Sequence, residues 1–472
     1  MQSCPSHPRG ERRVQETVHE PHRSRGQACS RHYAQRGLIA AFWVILAGIC
    51  VALHIGKLPP ALPVLRADLH VSLVQAGFLL SMVQLAGMTL GLAVGLFADV
   101  LGLKRCMLFG LMLLGVASAL GASAQTPATL LLTRFFEGLG FLLCAMPAPS
   151  LLRLLVSPTD LPKTLGWWAA YMPIGAALAL WVGPWVIGSS SWSSWWLLLA
   201  LITFLAAWGL YKGVPSQARL LELTEQGQRL SGAAPTVWGR VGGSPPFNPE
   251  NFGVGARLKR TLSVRGPWLI AFCFGVYSGQ WIAVIGFLPT ITTELGNSAF
   301  TAGWVSALVA LVNMVGNVGS GFMLARKTSS DSPHPGVDMA PRLLWAGYLS
   351  MAVGAALAYA QVDGVNFPVG VRLAGVLLFS ALGGLVPGTL FALAVRLSPA
   401  RECVAITVGW MQQWSSMGQF VGPPLVAWAA ALSGGWQWTW VVTGVLCLLG
   451  MVGAHQVSLE LTQVDRERAL TP

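Results

Sequence analysis

The chain has 472 residues, of which 54% are hydrophobic and only 10% are charged. A soluble domain of ordinary composition carries about 25% charged residues, so this composition excludes an ordinary soluble protein and favours the integral membrane class. The formal net charge of +12 is typical of nucleic-acid-binding proteins, but the positions of the charges give a different explanation below.

Residues 1–37 are polar and rich in arginine, and they lack the pattern of a short signal peptide. We expect a disordered cytoplasmic tail here. Its cysteines and histidines stand at irregular spacings with no fold around them, so they predict no metal site and no cofactor: Cys4, His7, His19, His22, Cys29 and His32. The eight cysteines of the chain are scattered and are expected to be free thiols.

Long apolar segments follow the tail, each close to the roughly 20 residues that a membrane helix needs. Six form an N-terminal half at 38–212 and six a C-terminal half at 266–456, with a cytoplasmic linker at 213–265 and a cytoplasmic tail at 457–472. We predict an all-α integral membrane protein with 12 transmembrane helices in two parallel six-helix halves. The predicted helices are 38–57, 73–97, 104–123, 127–153, 164–187, 193–212, 267–289, 300–325, 342–361, 369–395, 404–431 and 436–456.

The stretches LPVLRADLHVSLVQAG at 62–77 and LPTITTELGNSAFTAG at 288–303 form an internal repeat at a gapless offset of 226. Six of their 16 positions are identical, and Asp68 corresponds to Glu294. Each copy lies where the first helix of a half is predicted to leave the membrane and the second to re-enter it. The halves therefore run in parallel, and a substrate site is expected near the midplane between them.

Lysine and arginine are distributed unequally between the two sides of the predicted bundle. With the N-terminus inside, only Lys57, Arg66 and Arg372 are predicted in or beside outer loops, and Arg134 lies within a span. This positive-inside bias predicts a multi-pass protein of the plasma (inner) membrane with both termini cytoplasmic. Because this distribution of lysine and arginine accounts for the net positive charge, no nucleic-acid partner is expected.

The stretch GLFADVLGLKR at 95–105 lies between predicted helices two and three. It resembles the signature loop of the major facilitator superfamily, although residue 100, often basic in that family, is Val here. The resemblance implies the fold of this superfamily and a gating role for the loop, which latches the halves together on the cytoplasmic side. The matching positions are Gly95, Asp99, Gly102, Lys104 and Arg105.

Further motifs resemble the same superfamily, namely RFFEGLGF at 134–141 in helix four and GQFVGPPL at 418–425 in helix eleven. FGVYSGQWIAVIGFLPTI at 274–291 and GGLVPGTLFAL at 383–393 are similar to its cyanate and 2-nitroimidazole transporter branch. That similarity implies the import of small anions or small aromatic compounds.

Acidic residues are nearly absent from the predicted spans, and only Glu137 lies well inside one. It follows Arg134 by three residues, so both side chains share one helix face and can pair. Charge at bilayer depth is costly and usually functional, so Glu137 would exchange a proton while Arg134 orients an anionic group. In the structural interpretation the two form a permanent pair that fixes helix packing. His54, toward the outer end of helix one, is either an interface histidine or a transport residue.

Aromatic residues form two sets. Six at predicted outer helix ends are expected to anchor the protein in the lipid interface: Trp192, Trp195, Trp196, Trp436, Trp438 and Trp440. A second set, which includes two glutamines, lies within helices five, seven and eleven and is expected either to line a cavity, where a flat ligand could stack, or to pack helices. This set is Trp168, Tyr171, Tyr277, Gln280, Trp281, Gln413 and Trp414.

Glycines at four-residue spacing occur on helices two and eleven and predict close contact between helices. This contact is either one along which the two halves slide or a static packing contact. The glycines are Gly87, Gly91 and Gly95 on helix two, and Gly418 and Gly422 on helix eleven. Prolines within spans are expected to kink their helices: Pro147, Pro173, Pro387 and Pro423.

The sequence contains no Ser/His/Asp constellation, HExxH pattern or Walker-type loop, so we expect neither an enzyme nor an ATP-driven pump. We predict a monomeric secondary transporter that works by alternating access and imports a small anionic or small aromatic solute together with a proton. The candidate solutes are a cyanate-like anion, an organic acid or a nitroimidazole. Helices one and seven contain no carboxylate, which disfavours a cationic substrate. Efflux of a small organic compound or drug and a transporter-like membrane sensor are the alternatives.

Overall fold

The computed structural model describes residues 20–157, 160–215, 254–328, 339–400 and 403–470. Within these ranges the chain is almost entirely α-helical. Among the described residues, 10 helical stretches are long and apolar enough to cross a membrane. The predicted all-α membrane class is therefore confirmed.

The N-terminal half contains six helical spans, four of which are broken within the bundle. Span 1 is Glu20–Gly56 and Leu58–Asp68; span 2 is Leu73–Ser81, the 3-10 turn Met82–Gln84 and Leu85–Leu101; span 3 is Leu103–Gly121; span 4 is Pro127–Ala145 and Ala148–Leu155; span 5 is Leu161–Ala169 and Tyr171–Ser189; span 6 is Trp192–Gly213.

The C-terminal half repeats this plan after a short helix at Val254–Leu262. Span 7 is Arg265–Glu294; span 8 is Ala299–Thr328; span 9 is Met339–Tyr359; span 10 is Val369–Gly383 and Leu385–Arg396; span 11 is Val404–Ser433; span 12 is the 3-10 turn Trp436–Trp438 and Thr439–Leu470. A two-stranded antiparallel hairpin, Gln361–Val362 with Val365–Asn366, joins spans 9 and 10.

Each of the 12 predicted segments corresponds to one of these spans. Spans 9 and 11 are helical over 21 and 30 residues but are not among the 10 stretches that meet the hydropathy criterion. Span 11 is rich in Gly, Gln and Ser, which lower its mean hydropathy. Helices at the centre of a bundle tolerate such polar residues because other helices shield them from lipid.

The polar segments next to the spans are more helical than the sequence analysis expects. Span 1 begins at Glu20, inside the predicted tail at 1–37, and Pro21 suits the first turn of a helix because it needs no hydrogen-bonded N–H there. Span 12 continues to Leu470, through most of the predicted tail at 457–472. The rest of the N-terminal tail and most of the linker at 213–265 lie outside the described residues.

The internal repeat has the same backbone in both halves. Each copy contains the end of one helix, a short loop and the start of the next. His70 and Gly296, which correspond at the offset of 226, both have left-handed backbones, with φ of 53° and 85°. Ser72 and Ser298 then accept hydrogen bonds from the backbone N–H three residues later, which caps spans 2 and 8.

We call the end of the bundle at which spans 1 and 2 are joined the distal side, and the opposite end, where span 1 begins and span 12 ends, the terminal side. The last identical residue of the repeat carries contact between the halves near the distal side. A Cβ atom on Gly77 would lie 2.8 Å from the Cα atom of Pro424, and one on Gly303 would lie 2.5 Å from the carbonyl oxygen of Leu180. Because any larger side chain would push the halves apart, glycine permits this approach.

The predicted glycine contacts fall into two groups. Gly87 and Gly91 face Ser416 and Gln413 of span 11, so they lie between the halves. Gly418 and Gly422 instead pack against span 7 of their own half: a Cβ atom on Gly418 would lie 1.9 Å from the carbonyl oxygen of Gly275.

Prolines interrupt the helices at three of the four predicted positions. Span 4 breaks at Met146 and Pro147, span 5 breaks at Ala170, and span 10 breaks at Gly384. In spans 5 and 10 the break lies three residues before the proline. This is expected because the proline ring clashes with a backbone carbonyl group of the preceding helical turn. Pro423 lies inside the continuous helix of span 11.

Candidate functional site

A carboxylate and two cations are buried together in the N-terminal half. Glu137 Oε1 lies 2.6 Å from Lys57 Nζ, and Glu137 Oε2 lies 2.6 Å from Arg134 Nη1. All three side chains are 0% exposed. The predicted pairing of Arg134 with Glu137 is thus present in the structure, with a second cation that the sequence analysis did not place here.

Lys57 makes three hydrogen bonds, one for each N–H of an ammonium group. Its Nζ donates to Glu137 Oε1, to Ser118 Oγ at 2.9 Å and to His54 Nδ1 at 3.3 Å. The ammonium also lies 4.5 Å from the centre of the Trp196 ring, a cation–π contact. Lys57 is therefore built into the core by three neighbouring spans.

The prediction that Lys57 lies in or beside an outer loop is wrong. The membrane-spanning stretch continues from Gly37 to Asp68, and Lys57 lies within it. Pro59 and Pro60 lack backbone N–H groups, so the helix breaks before them although the chain remains inside the bundle. The apolar residues Leu58, Ala61, Leu62 and Leu65, all 0% exposed, are the sequence signal that the span continues beyond the lysine.

The hydrogen bonds around His54 define its tautomer. Thr203 Oγ1 donates to the carbonyl oxygen of Leu199 at 2.7 Å, so it accepts from His54 Nε2 at 2.8 Å. The Nδ1 atom is then free of a proton and accepts from Lys57. His54 is thus a neutral, fully bonded side chain at the middle of span 1, and its expected position near the outer end is wrong.

Arg134 is held mainly by backbone carbonyl groups. Its Nη1 donates to the carbonyl oxygen of His54 at 2.8 Å, and its Nε donates to that of Leu79 at 3.3 Å. Gly138 permits this approach of spans 2 and 4, since a Cβ atom there would lie 2.2 Å from the carbonyl oxygen of Val83. The Nη2 atom of Arg134 is buried and has no hydrogen-bond partner.

When Lys57 is an ammonium group, the buried cluster of His54, Lys57, Arg134 and Glu137 carries two positive charges and one negative charge. An uncompensated charge away from water is strongly unfavourable and is ordinarily neutralised by a partner or by loss of a proton. The surplus positive charge and the unpartnered Arg134 Nη2 give this cluster the chemistry of an anion site.

Tryptophans that were expected at the lipid interface instead enclose this cluster. Trp195 and Trp196 are 1% and 0% exposed, and Trp195 Nε1 donates to the carbonyl oxygen of Lys57 at 3.2 Å. Trp192 packs edge-on against Trp196 and is also buried. The interface prediction is wrong for these three residues because span 6 turns them toward spans 1 and 3 rather than toward lipid.

A second polar group lies in the C-terminal half and contains no charged residue. Tyr277 Oη and Asn313 are joined by hydrogen bonds of 2.9 and 3.2 Å. Asn313 also donates to the carbonyl oxygen of Ser380 at 2.8 Å, and Trp281 Nε1 donates to Ser380 Oγ at 3.2 Å. This network joins spans 7, 8 and 10 and fixes the Trp281 ring.

The halves meet between the two polar groups through apolar side chains. Ile55 and Val83 of the N-terminal half are buried against Ile282 of the C-terminal half, and Trp281 packs against the same cluster. Ile55 directly follows His54, and Val83 is one helical turn beyond Leu79. This apolar contact therefore lies next to the carbonyl groups that hold Arg134.

The other predicted cavity residues lie elsewhere. Gln280 is 0% exposed and its Oε1 accepts from Cys447 of span 12 at 3.1 Å. Trp168 stacks on Tyr171 with ring centres 4.3 Å apart and packs against Gly48. Trp414 belongs to an edge-to-face group with Trp268 and Trp410. Gln413 Nε2 reaches across the halves to the carbonyl oxygen of Met88 at 2.7 Å.

A family model described as Major Facilitator Superfamily matches residues 44–407. The chain belongs to this superfamily. It is accordingly a multi-pass membrane transporter rather than an enzyme, and the predicted fold is that of its family.

Two known proteins resemble the chain in sequence. The 4-hydroxybenzoate transporter PcaK of Pseudomonas putida is 27% identical over 379 residues, which cover 77% of this chain and 79% of that protein. The multidrug resistance protein MdtL of Vibrio parahaemolyticus is 32% identical over 161 residues, which cover 33% of this chain and 40% of that protein.

Two solved structures share the fold of the chain. A bacterial homologue of the human lysosomal transporter Spinster, in an inward-facing unoccupied state, aligns with a TM-score of 0.64 at 13% identity and covers 92% of this chain and 98% of its own. The inward-facing occupied state aligns with a TM-score of 0.66 at 14% identity, over 95% and 99% of the two chains.

The loop that resembles the superfamily's signature lies where spans 2 and 3 are joined on the terminal side. Gly102 has a φ of 92°, a left-handed backbone that ends span 2. Lys104 donates to the carbonyl oxygens of Tyr211 and Val214 at the end of span 6, and Arg105 is exposed. A lysine ammonium near a helix C-terminus is attracted to the negative end of the helix dipole. Because Lys104 belongs to span 3 and binds the end of span 6, it holds these two spans of one half together. The side chains at 95–100, and with them Asp99, lie outside the described residues.

Proposed function

We propose that the protein is a secondary transporter that imports a small anion together with a proton by alternating access, and that an aromatic carboxylate is the first substrate to test. The observation that carries the proposal is the burial of two basic side chains, Lys57 and Arg134, against the single carboxylate of Glu137. Two cations at 2.6 Å from one carboxylate leave one charge without a partner. An anionic substrate would neutralise it.

The unpartnered nitrogen of Arg134 supports the same substrate class. Guanidinium N–H groups bind carboxylates through charge-assisted hydrogen bonds, and Nε and Nη1 of Arg134 are already used while Nη2 is not. A substrate carboxylate that accepts from Nη2 would bind the one nitrogen of this guanidinium that the protein leaves without a partner. A cationic substrate would add charge of the same sign and is disfavoured.

The aromatic part of the proposed substrate has a matching surface in the opposite half. Trp281 packs on the apolar contact of Ile55, Val83 and Ile282, and its ring is held by Ser380. A flat ring could stack there with its carboxylate directed toward Arg134. The resemblance to a transporter whose name specifies 4-hydroxybenzoate supports this choice. Cyanate and nitroimidazoles remain in the test because the sequence motifs favour that branch.

Contacts between the halves indicate that the distal side does not admit the substrate in this conformation. On the distal side, Glu294 Oε1 accepts from Arg66 at 3.1 Å, and the aromatic rings of Trp185 and Phe300 lie 4.8 Å apart. These contacts close the distal side. With both termini in the cytoplasm, as the positive-inside bias predicts, the distal side faces outward. Separation of Ile55 and Val83 from Ile282 would then open a path to the buried cluster.

Uptake into proteoliposomes with an imposed pH gradient tests the proposal. The panel contains 4-hydroxybenzoate, benzoate, cyanate, a 2-nitroimidazole and a cationic dye. Accumulation of a small anion or a small aromatic compound, abolished when the gradient is collapsed, is the expected result. Transport of the dye alone would contradict it.

Export of a small organic compound is the second candidate function, because one relative is a multidrug resistance protein. The same assay separates it from import. An exporter would move the dye or a neutral compound in the direction opposite to the flow of protons. Its transport would not depend on a negative charge on the solute.

A further inference from the structure

We infer that Lys57 carries the coupled proton, and that the transported anion binds while Lys57 is an ammonium group. The inference rests on the proposed function, since it assigns the proton step of that transport to one residue. It differs from the hypothesis drawn from the sequence, in which Glu137 exchanges the proton.

Charge balance favours Lys57 over Glu137 as the proton carrier. A proton added to Glu137 would remove the negative charge that lies 2.6 Å from each of two cations, and would leave two buried positive charges. A proton lost from Lys57 would instead leave Arg134 and Glu137 as a neutral ion pair. The second change removes a buried charge and the first adds one, so desolvation favours the second.

The hydrogen bonds of Lys57 suit both of its protonation states. As an ammonium group it donates to Glu137, His54 and Ser118. As a neutral amine it keeps two N–H donors and gains one lone pair. The Ser118 hydroxyl now donates to the carbonyl oxygen of Trp196 at 3.0 Å, and a rotation of that hydroxyl would let it donate to Nζ instead.

The groups that face Lys57 come from every span packed against it. Span 1 supplies His54, span 3 supplies Ser118, span 4 supplies Glu137, and span 6 supplies the Trp196 ring. Behind them, Arg134 pairs with Glu137, and Thr203 binds the far nitrogen of His54. A second proton on His54 would place a cation 3.3 Å from the ammonium of Lys57, so His54 is held neutral while Lys57 is charged. Arg134 stays protonated because a guanidinium does not lose its proton in a protein.

These constraints define a balanced transport step. On the acidic side, the neutral amine of Lys57 takes a proton from water and the cluster gains one positive charge. A monovalent anion then binds at Arg134 Nη2 and neutralises it. On the other side the anion leaves, and the proton passes from Lys57 Nζ to water. About one proton moves with each monovalent anion, and the loaded and empty clusters are both neutral.

The substitution Lys57→Arg tests this assignment, because arginine keeps the charge and cannot release the proton. In proteoliposomes, we expect this variant to exchange external for internal anion but to lose accumulation driven by a pH gradient. Lys212→Arg, at an exposed position near the end of span 6, is the matched control and should behave as wild type in both assays. Accumulation by Lys57→Arg at the wild-type level would overturn the inference.

Proton uptake on anion binding provides a second measurement for the case in which Lys57→Arg does not fold. Titration calorimetry in two buffers of different ionisation enthalpy, from about pH 5 to about pH 10, counts the protons that bind with the anion. Wild type and Glu137→Gln are both expected to take up protons. Anion binding without proton uptake in wild type, or uptake that disappears in Glu137→Gln while binding remains, would overturn the inference.

The two proposals fail in different ways. If wild-type protein neither binds nor moves any anion of the panel, the proposed function is wrong. If wild type accumulates an anion with protons but Lys57→Arg does so equally well, the proposed function stands and only the role of Lys57 is wrong.

Discussion

Lys57 Nζ and Glu137 Oε1 lie 2.6 Å apart although the two residues are 80 positions apart in the sequence. This contact joins span 1 to span 4 in the middle of the bundle, where water does not reach either side chain. Glu137 also binds Arg134 through its other oxygen, so one carboxylate links two cations. The balance of these three charges determines how substitutions in the cluster should behave.

The first prediction concerns stability. Glu137→Gln should lower the midpoint of thermal unfolding in detergent more than Lys57→Met does. It leaves Arg134 without a counter-charge, and Lys57 as well whenever Lys57 is protonated, whereas Lys57→Met leaves a neutral pair. Breaking a buried pair from one side costs about 3–5 kcal/mol. The double variant Lys57→Met with Glu137→Gln should recover part of the loss.

Ser123→Ala, on the exposed distal end of span 3, is a control that should leave the midpoint unchanged. Equal effects of Glu137→Gln and Lys57→Met, with no recovery in the double variant, would show that the surplus charge is compensated in some other way. The prediction would then be abandoned.

The second prediction concerns the closure of the distal side. Glu294 binds Arg66 across the halves and also accepts from Trp436 Nε1 at 2.7 Å. Since the Arg66 and Glu294 side chains are 35% and 46% exposed, the pair should add only about 0–1 kcal/mol to stability. Glu294→Ala should therefore unfold at nearly the wild-type temperature but open the distal side more often.

Labelling of a cysteine introduced at Leu180, which is buried where span 5 meets Gly303 of span 8, measures that opening. The label should react faster in Glu294→Ala than in the parent, and high salt should speed the parent reaction in the same direction. Unchanged labelling would mean that the aromatic and glycine contacts alone hold the distal side closed.

The sequence predicts the fold far better than the site. Hydropathy and the gapless repeat locate the helical spans and the two halves, because lipid requires long apolar segments wherever they lie in the chain. The cluster could not be located in this way. A lysine followed by two prolines looks like the end of a helix, and only tertiary packing on Ser118 and Trp196 makes Lys57 a core residue.

The glycine positions also show that the sequence predicts a contact without specifying its partner. Four-residue spacing predicts close contact on spans 2 and 11, and such contact occurs on both. The spacing does not specify the partner, so it cannot separate Gly87, which faces the other half, from Gly418, which packs on Gly275 within its own half. The partner is fixed by how the spans are arranged in three dimensions.

The third prediction follows from the glycine of the repeat. Gly303→Ala places a methyl group 2.5 Å from the carbonyl oxygen of Leu180, so spans 5 and 8 must separate. Transport should fall severely, since the distal side can no longer close. Gly319→Ala is the matched control on the same span, because nothing lies within 4 Å of its added methyl group. Alanine there should be neutral or stabilise the helix by up to about 1 kcal/mol.

Initial uptake rates in proteoliposomes with equal amounts of each variant provide the measurement. The order expected is wild type and Gly319→Ala together, with Gly303→Ala far below them. Full transport by Gly303→Ala would show that the halves can move apart there without consequence for the cycle.

The fourth prediction addresses the aromatic part of the substrate. Trp281→Leu removes the ring that packs on Ile55, Val83 and Ile282, and an aromatic contact contributes about 0.5–1.5 kcal/mol beyond its buried area. The KM for 4-hydroxybenzoate should therefore rise by up to about tenfold, whereas cyanate, which has no ring to stack, should be affected far less. Trp281→Phe should lie between wild type and leucine for the aromatic substrate.

Two controls separate stacking from the other roles of Trp281. Ser380→Ala removes the partner of the indole N–H at 3.2 Å without removing the ring, and should change KM less than Trp281→Leu does. Trp428→Leu replaces a ring on span 11 that is 54% exposed, and should change neither KM. If Trp281→Leu weakens cyanate and 4-hydroxybenzoate transport by the same factor, the ring supports the fold of the site and does not select an aromatic substrate.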